Sequence, residues 1–183
     1  EAQRCRPNKD KEGNKTQDQE ANYGSKIAAN GQKKSTYGFK AHLNVDEDGF
    51  VKAMKLTPAN VYDGKVFEEL LQPYDAACTA DGAYPSKKNR EILVQRNIKD
   101  MLLNRAYRTR ALTDKEKQNN KKNSPIRSTV ERIFGIFKLH YGMAKARYLG
   151  LKRNEMRLGI MCLAYNIKTS LRIFKEMKEY QFA

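Results

Sequence analysis

From Tyr37 through Phe39, Ala41, Leu43 and Val45 every second residue is apolar or aromatic, and a helix cannot gather that pattern onto one face. The alternation is that of a half-buried strand, and Asp46-Glu47-Asp48-Gly49 follows it with turn chemistry. Phe50 to Leu56 then reads as the returning strand of an antiparallel hairpin. Later the period changes. Ile126, Val130, Ile133, Phe134 and Phe137 recur at helical spacing behind Pro125, which sits well at a first helical position. A chain that holds both periods builds a mixed fold of strands and helices.

Between these segments, Thr57-Pro58-Ala59-Asn60 stops the hairpin, and Asp63 is placed to cap a short helix that turns Phe67, Leu70 and Leu71 inward. Ala76 to Ala80 reads as a buried strand delivering Asp81 at its carboxyl end, where open α/β sheets place their sites. Ser86 begins a helix through Ile92, Leu93 and Arg96, and Asp100 to Leu103 reads as another strand. Residues 104–123 hold Arg105, Arg108, Arg110, Lys121 and Lys122 with little apolar content, which predicts an exposed basic loop. A last helix from about Asn154 to Lys178, through Ile160, Leu163, Ile167, Leu171 and Phe174, is apolar on most sides and reads as buried packing. Residues 1–36 are polar and read as an irregular basic arm ahead of one domain over 37–183.

The chain carries 36 Lys+Arg against 21 Asp+Glu. Counted along the sequence, the balance is 9−5 = +4 for residues 1–40, 3−8 = −5 for 41–83, 19−5 = +14 for 84–153 and 5−3 = +2 for 154–183. An excess concentrated in one stretch points to a polyanionic partner, and the acidic stretch beside it resembles a metal site in a nucleic-acid groove. The longest apolar stretch, Leu158 to Ile167, is too short to cross a bilayer, which takes about 20 such residues. Cys5, Cys78 and Cys162 form no CxxC pair, so a disulfide framework or zinc ribbon is not expected and a reducing cytoplasm fits. With only His42 and His140, a catalytic metal would be held by carboxylates, which suits Mg²⁺ or Mn²⁺.

At about 100° per residue, Arg127, Glu131 and Lys138 fall within roughly 40° of one another on the first of the late helices. The apolar residues fill the adjoining arc, which sets Glu131 at the rim of the core. That is where a ligand carboxylate belongs, although an exposed face with an Arg127–Glu131 ion pair explains the same spacing. His42 and Lys40 share the polar face of their strand, where His42 reads as a surface group or one backing a site. Tyr84, just after a strand end, can position DNA or simply pack.

Several segments together resemble the DDE transposases of bacterial insertion sequences, specifically the insertion sequence five group and its relatives. They are Tyr37-Gly38-Phe39-Lys40-Ala41-His42, the Leu56-Thr57-Pro58-Ala59-Asn60 turn followed by Asp63, Ala80-Asp81-Gly82-Ala83-Tyr84, Arg147-Tyr148-Leu149-Gly150-Leu151 and Ala164-Tyr165-Asn166-Ile167-Lys168. The family signature Tyr-x2-Arg-x3-Glu-x6-Lys is matched by Arg127, Glu131 and Lys138, with Ser124 in place of the tyrosine.

The resemblance implies a ribonuclease H-like mixed sheet flanked by helices. It further implies three carboxylates holding two Mg²⁺ or Mn²⁺ ions for in-line attack on a phosphodiester. Asp81 would be the second aspartate and Glu131 the glutamate; Arg127 and Lys138 would contact DNA phosphates, joined by Lys40, Tyr84, Arg105, Arg108, Lys121 and Lys122. The partners implied are insertion-sequence terminal repeats and target DNA, with a homodimer on the DNA, in the cytoplasm at the nucleoid.

The first aspartate of the family lies on a first strand just upstream of a segment resembling Glu1-Ala2. The expectation is therefore an N-terminally truncated domain lacking that strand, with an open sheet edge, and Asp10, Asp18, Asp46 and Asp48 are poor substitutes. The alternative to an enzyme fragment is an inactive remnant that binds DNA without sequence preference.

Overall fold

The computed structural model describes residues 2–4, 18–27, 30–80, 83–106 and 110–181, with side chains at all of these except 2–4, 26, 126–127 and 178–181. The chain divides into two compact units, one drawn from residues 1–61 and 134–183 and the other from 62–133.

The first unit is built on a long strand, β3 (Lys33–Val45), which pairs antiparallel with β1 (Ala2–Arg4), β2 (Asn22–Ile27) and β4 (Val51–Pro58). Phe39 and Lys40 pair with Gln3 and Ala2 on one side and with Pro58 and Thr57 on the other. Gly38 pairs with both Arg4 and Asn22, so β2 takes over from β4 along the same edge of β3. Residues 2–4, 22–27 and 33–36, expected to be irregular, are therefore strands, and the edge expected to be open carries β1 over Gly38–Lys40. Their polar composition hides this because ladder pairing is made by the backbone. Gly24 is needed where β2 passes the hairpin end: a Cβ there would lie 2.7 Å from the Ala59 carbonyl oxygen.

The hairpin forms as its alternation predicts, with Phe39 (0% exposed), Ala41 (2%) and Leu56 (0%) in the core. Each large apolar side chain so buried contributes about 1.5–3 kcal/mol. In the turn, Asp46 Oδ1 accepts from Phe50 N at 2.7 Å, and Gly49 takes the positive φ of 93°. His42, expected on a polar face, is instead buried at 2% exposure, its Nε2 3.0 Å from Thr57 Oγ1. Neighbouring strand residues point to opposite faces, so both faces of the sheet are covered here.

The last helix of the chain, α4 (Leu151–Gln181), also belongs to the first unit. It lays Asn154, Leu158, Met161, Cys162, Tyr165 and Thr169 inward. Its polar side chains close the outer edge of β4: Asn166 bonds both Val51 N (2.9 Å) and Val51 O (3.0 Å), and Glu155 accepts from Leu56 N at 3.1 Å. Such an edge would otherwise offer unpaired backbone groups to other chains. The start of α4 is capped from far away in sequence. Asp18 Oδ2 accepts from Gly150 N at 2.8 Å and Glu20 Oε2 from Leu151 N at 2.6 Å, two anions at the positive end of the helix. Buried Asn154 ties the preceding loop through the Tyr148 and Gly150 carbonyls, at 2.7 and 2.8 Å.

The expectation that Ile160, Leu163, Ile167, Leu171 and Phe174 are buried is not met: they are 55–63% exposed. Among the described residues it is the opposite face of α4 that is buried; apolar periodicity reports which residues are apolar and not what covers them.

The second unit opens with a 3-10 turn at Asp63–Lys65 and α1 (Phe67–Leu70). Asp63 lies inside the turn and is not the helix cap; Tyr62 precedes the turn and Val66 precedes α1, neither with a side-chain capping bond. Phe67 and Leu71 nevertheless enter the core as expected, with Ile92, Leu93, Ile98 and Leu102. β5 (Ala77–Cys78) pairs parallel with β6 (Lys99–Asp100), and the ladder continues through Met101 N to Cys78 O (3.0 Å) and Leu103 N to Ala80 O (3.2 Å). α2 (Lys87–Gln95) starts at Ser86, whose Oγ accepts from Asn89 N at 3.1 Å.

Helix α3 (Asp114–His140) corrects two expectations. Residues 114–123 are helical rather than loop, which places Lys121 and Lys122 on a helix, and Pro125 lies inside the helix rather than at its first position. The start is a capping box: Thr113 Oγ1 accepts from Glu116 N (3.3 Å) and Glu116 Oε2 from Thr113 N (2.8 Å). The Thr113 backbone N–H first, the Thr113 hydroxyl donating to Oε2 at 3.0 Å next, and the Arg110 charge after them hold the Glu116 carboxyl below its ordinary value. Asn120 and Asn123 then dock this polar stretch on the backbone that follows β6, bonding Asn104 O (2.8 Å) and Met101 O (3.1 Å).

Candidate active site and nucleic-acid interface

Asp81 and Gly82 lie outside the described residues, but the chain on either side is anchored. Before them Ala80 accepts from Leu103 N and packs on the core of the second unit. After them the Tyr62 hydroxyl bonds the Ala83 carbonyl at 2.5 Å, and buried Asn89 donates to the Tyr84 carbonyl at 2.7 Å. Tyr84 itself is half-buried against the same core, its ring 6.0 Å from that of Phe67.

Glu131 and Lys138 are exposed on α3, seven residues or about two turns apart, while Ile133 and Phe137 on the same helix are fully buried. Val130 and Phe134 are half-buried between these extremes, so the helix does carry its apolar and charged residues on different faces. The side chain of Arg127 lies outside the described residues. Among the described residues, no three His, Cys, Asp or Glu side chains come together as a metal-binding group.

The remaining basic candidates are spread over both units. Lys40 is half-buried and donates from Nζ to the Val61 carbonyl at 2.8 Å. Arg105, Lys121 and Lys122 are exposed, and Arg108 lies outside the described residues. Of the aspartates read as poor substitutes for a first one, Asp18 is buried on the start of α4 and Asp46 holds the hairpin turn. Asp48 is exposed in that turn, and Asp10 lies outside the described residues.

A groove of about 520 Å³ in the first unit, which no motif in the sequence marks, is lined by Tyr141, Arg147, Tyr148, Arg153, Arg157 and the first turns of α4. Arg157 is structural: it donates to the carbonyls of Tyr141 (3.0 Å), Gly142 (2.9 Å) and Lys145 (3.1 Å). Burial, and then the nearby Arg147 charge, lower its pKa. The Arg-Tyr-Leu-Gly-Leu segment was visible in the sequence, but only the fold brings it beside Arg153 and Arg157. No described helix is long and apolar enough to cross a membrane.

Residues 4–167 match the family model described as the transposase DDE domain. Over 130 residues the chain is 32% identical to the transposase for insertion sequence element IS1106 of Neisseria meningitidis serogroup B, an alignment covering 69% of this chain and 45% of that protein. The chain thus spans less than half the length of this curated relative. No solved structure matches it. A family match across most of the chain, running through the segments that hold Asp81 and Glu131, establishes that this chain belongs to the DDE transposases of insertion sequences.

Proposed function

We propose that this chain is part of an enzyme of DNA transposition that cuts and joins strands at insertion-sequence ends, on a ribonuclease H-like arrangement. The observation that carries the reading is the family match over residues 4–167, supported by a parallel ladder leading through Ala80 toward Asp81 and by an exposed Glu131 on a helix anchored through Ile133. Asp81 and Glu131 would hold divalent cations, since all-oxygen donors suit Mg²⁺ or Mn²⁺. When bound, such ions supply activation of the attacking hydroxyl and stabilisation of the leaving oxygen. This chain's own cations then do the rest: Arg127 and Lys138 would hold phosphates beside the carboxylates. Arg105, Arg108, Lys121 and Lys122 would track the backbone further out, and Lys40 and Tyr84 would line the approach. Such work is done in the cytoplasm, on nucleoid DNA.

A third carboxylate is assigned to none of Asp10, Asp18, Asp46 and Asp48. Residues 1–183 by themselves are therefore expected to hold DNA without cleaving it. The test is a cleavage assay on duplex DNA carrying insertion-sequence ends, with Mg²⁺ or Mn²⁺, alongside a binding titration at rising salt. Binding that weakens steeply with salt, with no nicking, is the expected result. Metal-dependent nicking abolished by Glu131→Gln would overturn the inactive reading, and an affinity insensitive to salt would overturn phosphate contacts as its source.

A further inference from the structure

Over Lys33–Tyr37, β3 pairs with one strand among the described residues, β2 from Tyr23 to Ile27, because β1 and β4 join it only from Gly38 onward. The two strands therefore leave the sheet as a ribbon, and every side chain described from Ser25 to Ser35 is exposed. A two-stranded ribbon is marginal by itself, yet this one is fastened at both ends. At its base the Tyr23 and Tyr37 rings lie 4.8 Å apart, the Tyr37 hydroxyl donates to Asp18 O at 2.5 Å, and Gly24 passes against Ala59. At its tip Asn30 Oδ1 accepts from Gln32 N at 3.1 Å, and Gly31 takes a φ of 77°.

The charge of the ribbon has one sign. Lys26, Lys33 and Lys34 are the charged residues of 22–36, and no Asp or Glu occurs between Glu20 and Asp46. Asp18 and Glu20 just ahead are spent on the start of α4. The register sets Lys26 opposite Lys34, and like charges at opposed positions work against a ladder. A polyanion laid along the ribbon would relieve that repulsion. A protein partner fits poorly: Tyr23 and Ile27 are the only exposed large apolar side chains described here, and interface cores are poor in lysine. The dimensions point the same way. Two strands about 4.8 Å apart, running for about 20 Å, form one of the two elements that the major groove of B-DNA, about 12 Å wide, admits. We infer that the β2–β3 ribbon enters the major groove of duplex DNA, a contact additional to the basic residues named above. Ser25, Ile27, Lys33 and Ser35 share one face of the ribbon, Lys34 and Thr36 the other. On the first face the two hydroxyls would meet base edges and Ile27 a thymine methyl, while the lysines reach the phosphates that border the groove. The inference rests on the reading of DNA as this chain's partner.

The test is a binding titration of the purified chain against duplex DNA at several salt concentrations. Lys33→Ala with Lys34→Ala should weaken binding at least about tenfold and reduce the salt slope by about 2, whereas Lys33→Arg with Lys34→Arg should bind as wild type does. Retention by the arginine pair shows that lost charge, not a lost fold, causes the effect. The same alanine pair should cost markedly less on single-stranded DNA, which has no groove, and on duplex RNA, whose deep and narrow major groove does not admit side chains. Equal losses on all three would overturn groove docking and leave the lysines as diffuse charge. A comparison with Lys121→Ala and Lys122→Ala separates this inference from the proposed function. A wild-type chain that binds no DNA would overturn both. One that binds, and loses affinity with the second pair but not with the ribbon pair, would overturn the ribbon alone and leave its lysines as guards against strand addition at an open edge.

Discussion

The two units are held together in different ways. In the first, a four-stranded sheet and α4 enclose Phe39, Leu56, Phe137 and Leu158, with Phe137 stacked at 5.6 Å on Tyr141 and edge-on at 5.7 Å to Tyr165. In the second, the apolar cluster is smaller, and much of the order comes from side chains bonding backbone: Asn89 to Tyr84, Asn120 to Asn104, Asn123 to Met101. Arg90 adds a link to Asp100 and, at 2.9 Å, to Asn104. The difference teaches where chemistry can be housed. Both candidate carboxylates belong to the stretch 62–133, where Glu131 is exposed, while the sheet unit supplies bulk apolar stability.

The strongest way to break this contrast is to truncate one core at a time. Phe137→Ala should cost about 3–5 kcal/mol and Leu93→Ala about 2–5 kcal/mol. Hydrogen exchange should show the first variant loosening the amides of β3 and β4, and the second those of α2 and β6. Identical exchange patterns from both would mean that the units share one cooperative transition. Polar fastening is tested next. Asn123→Ala and Asn166→Ala should each cost about 1–3 kcal/mol by stranding backbone groups, measured by denaturant unfolding. If Asn123→Ala costs nothing, the second unit does not depend on its amides.

A third test uses Cys162, whose thiol is pushed up to about 12 by burial. Above pH 9 the unfolded thiol loses its proton while the folded one keeps it, so stability should fall as pH rises from 9 toward 12. The slope is at most about 1.4 kcal/mol per pH unit. Comparing wild type with Cys162→Ala isolates this loss from other titrations; parallel curves would show that the thiol is not linked to folding. The smallest expected effect is that of Thr113→Ala, about 0.5–1 kcal/mol from the exposed capping box. Circular dichroism should report a slightly less helical chain.

What could be read from residues alone was whatever side-chain pattern controls. The β3–β4 hairpin follows from alternation that must bury Phe39 and Ala41, and α2 from the Ser86 cap. The amino half of α3 was missed because its docking runs through Asn120 and Asn123 rather than through apolar contacts, although Thr113 and Glu116 carried the signal. β1 and β2 escaped notice because their pairing is a backbone matter. α4 was found but turned the wrong way, since a sequence apolar nearly all round does not say which arc its own sheet covers. Glu131 and Lys138 are on α3 where the spacing set them. The backbone pairing of Cys78 and Ala80 ahead of Asp81 follows the strand read there, whereas the groove joining Arg147 to Arg153 needed the folded loop.

The capping of α4 by Asp18 and Glu20 also sets a schedule for synthesis. The four described strands of the first unit have all left the ribosome once Pro58 has, but Asn166, which bonds the edge of β4, comes 108 residues later (166−58). At typical elongation rates that is a delay of roughly 5–20 s. During it the nascent chain presents β4 uncovered and the carboxylates at positions 18 and 20 without their helix, while the intervening 62–133 stretch emerges whole. A chaperone that shelters strand edges would be needed most in that interval, and least once the final helix has arrived.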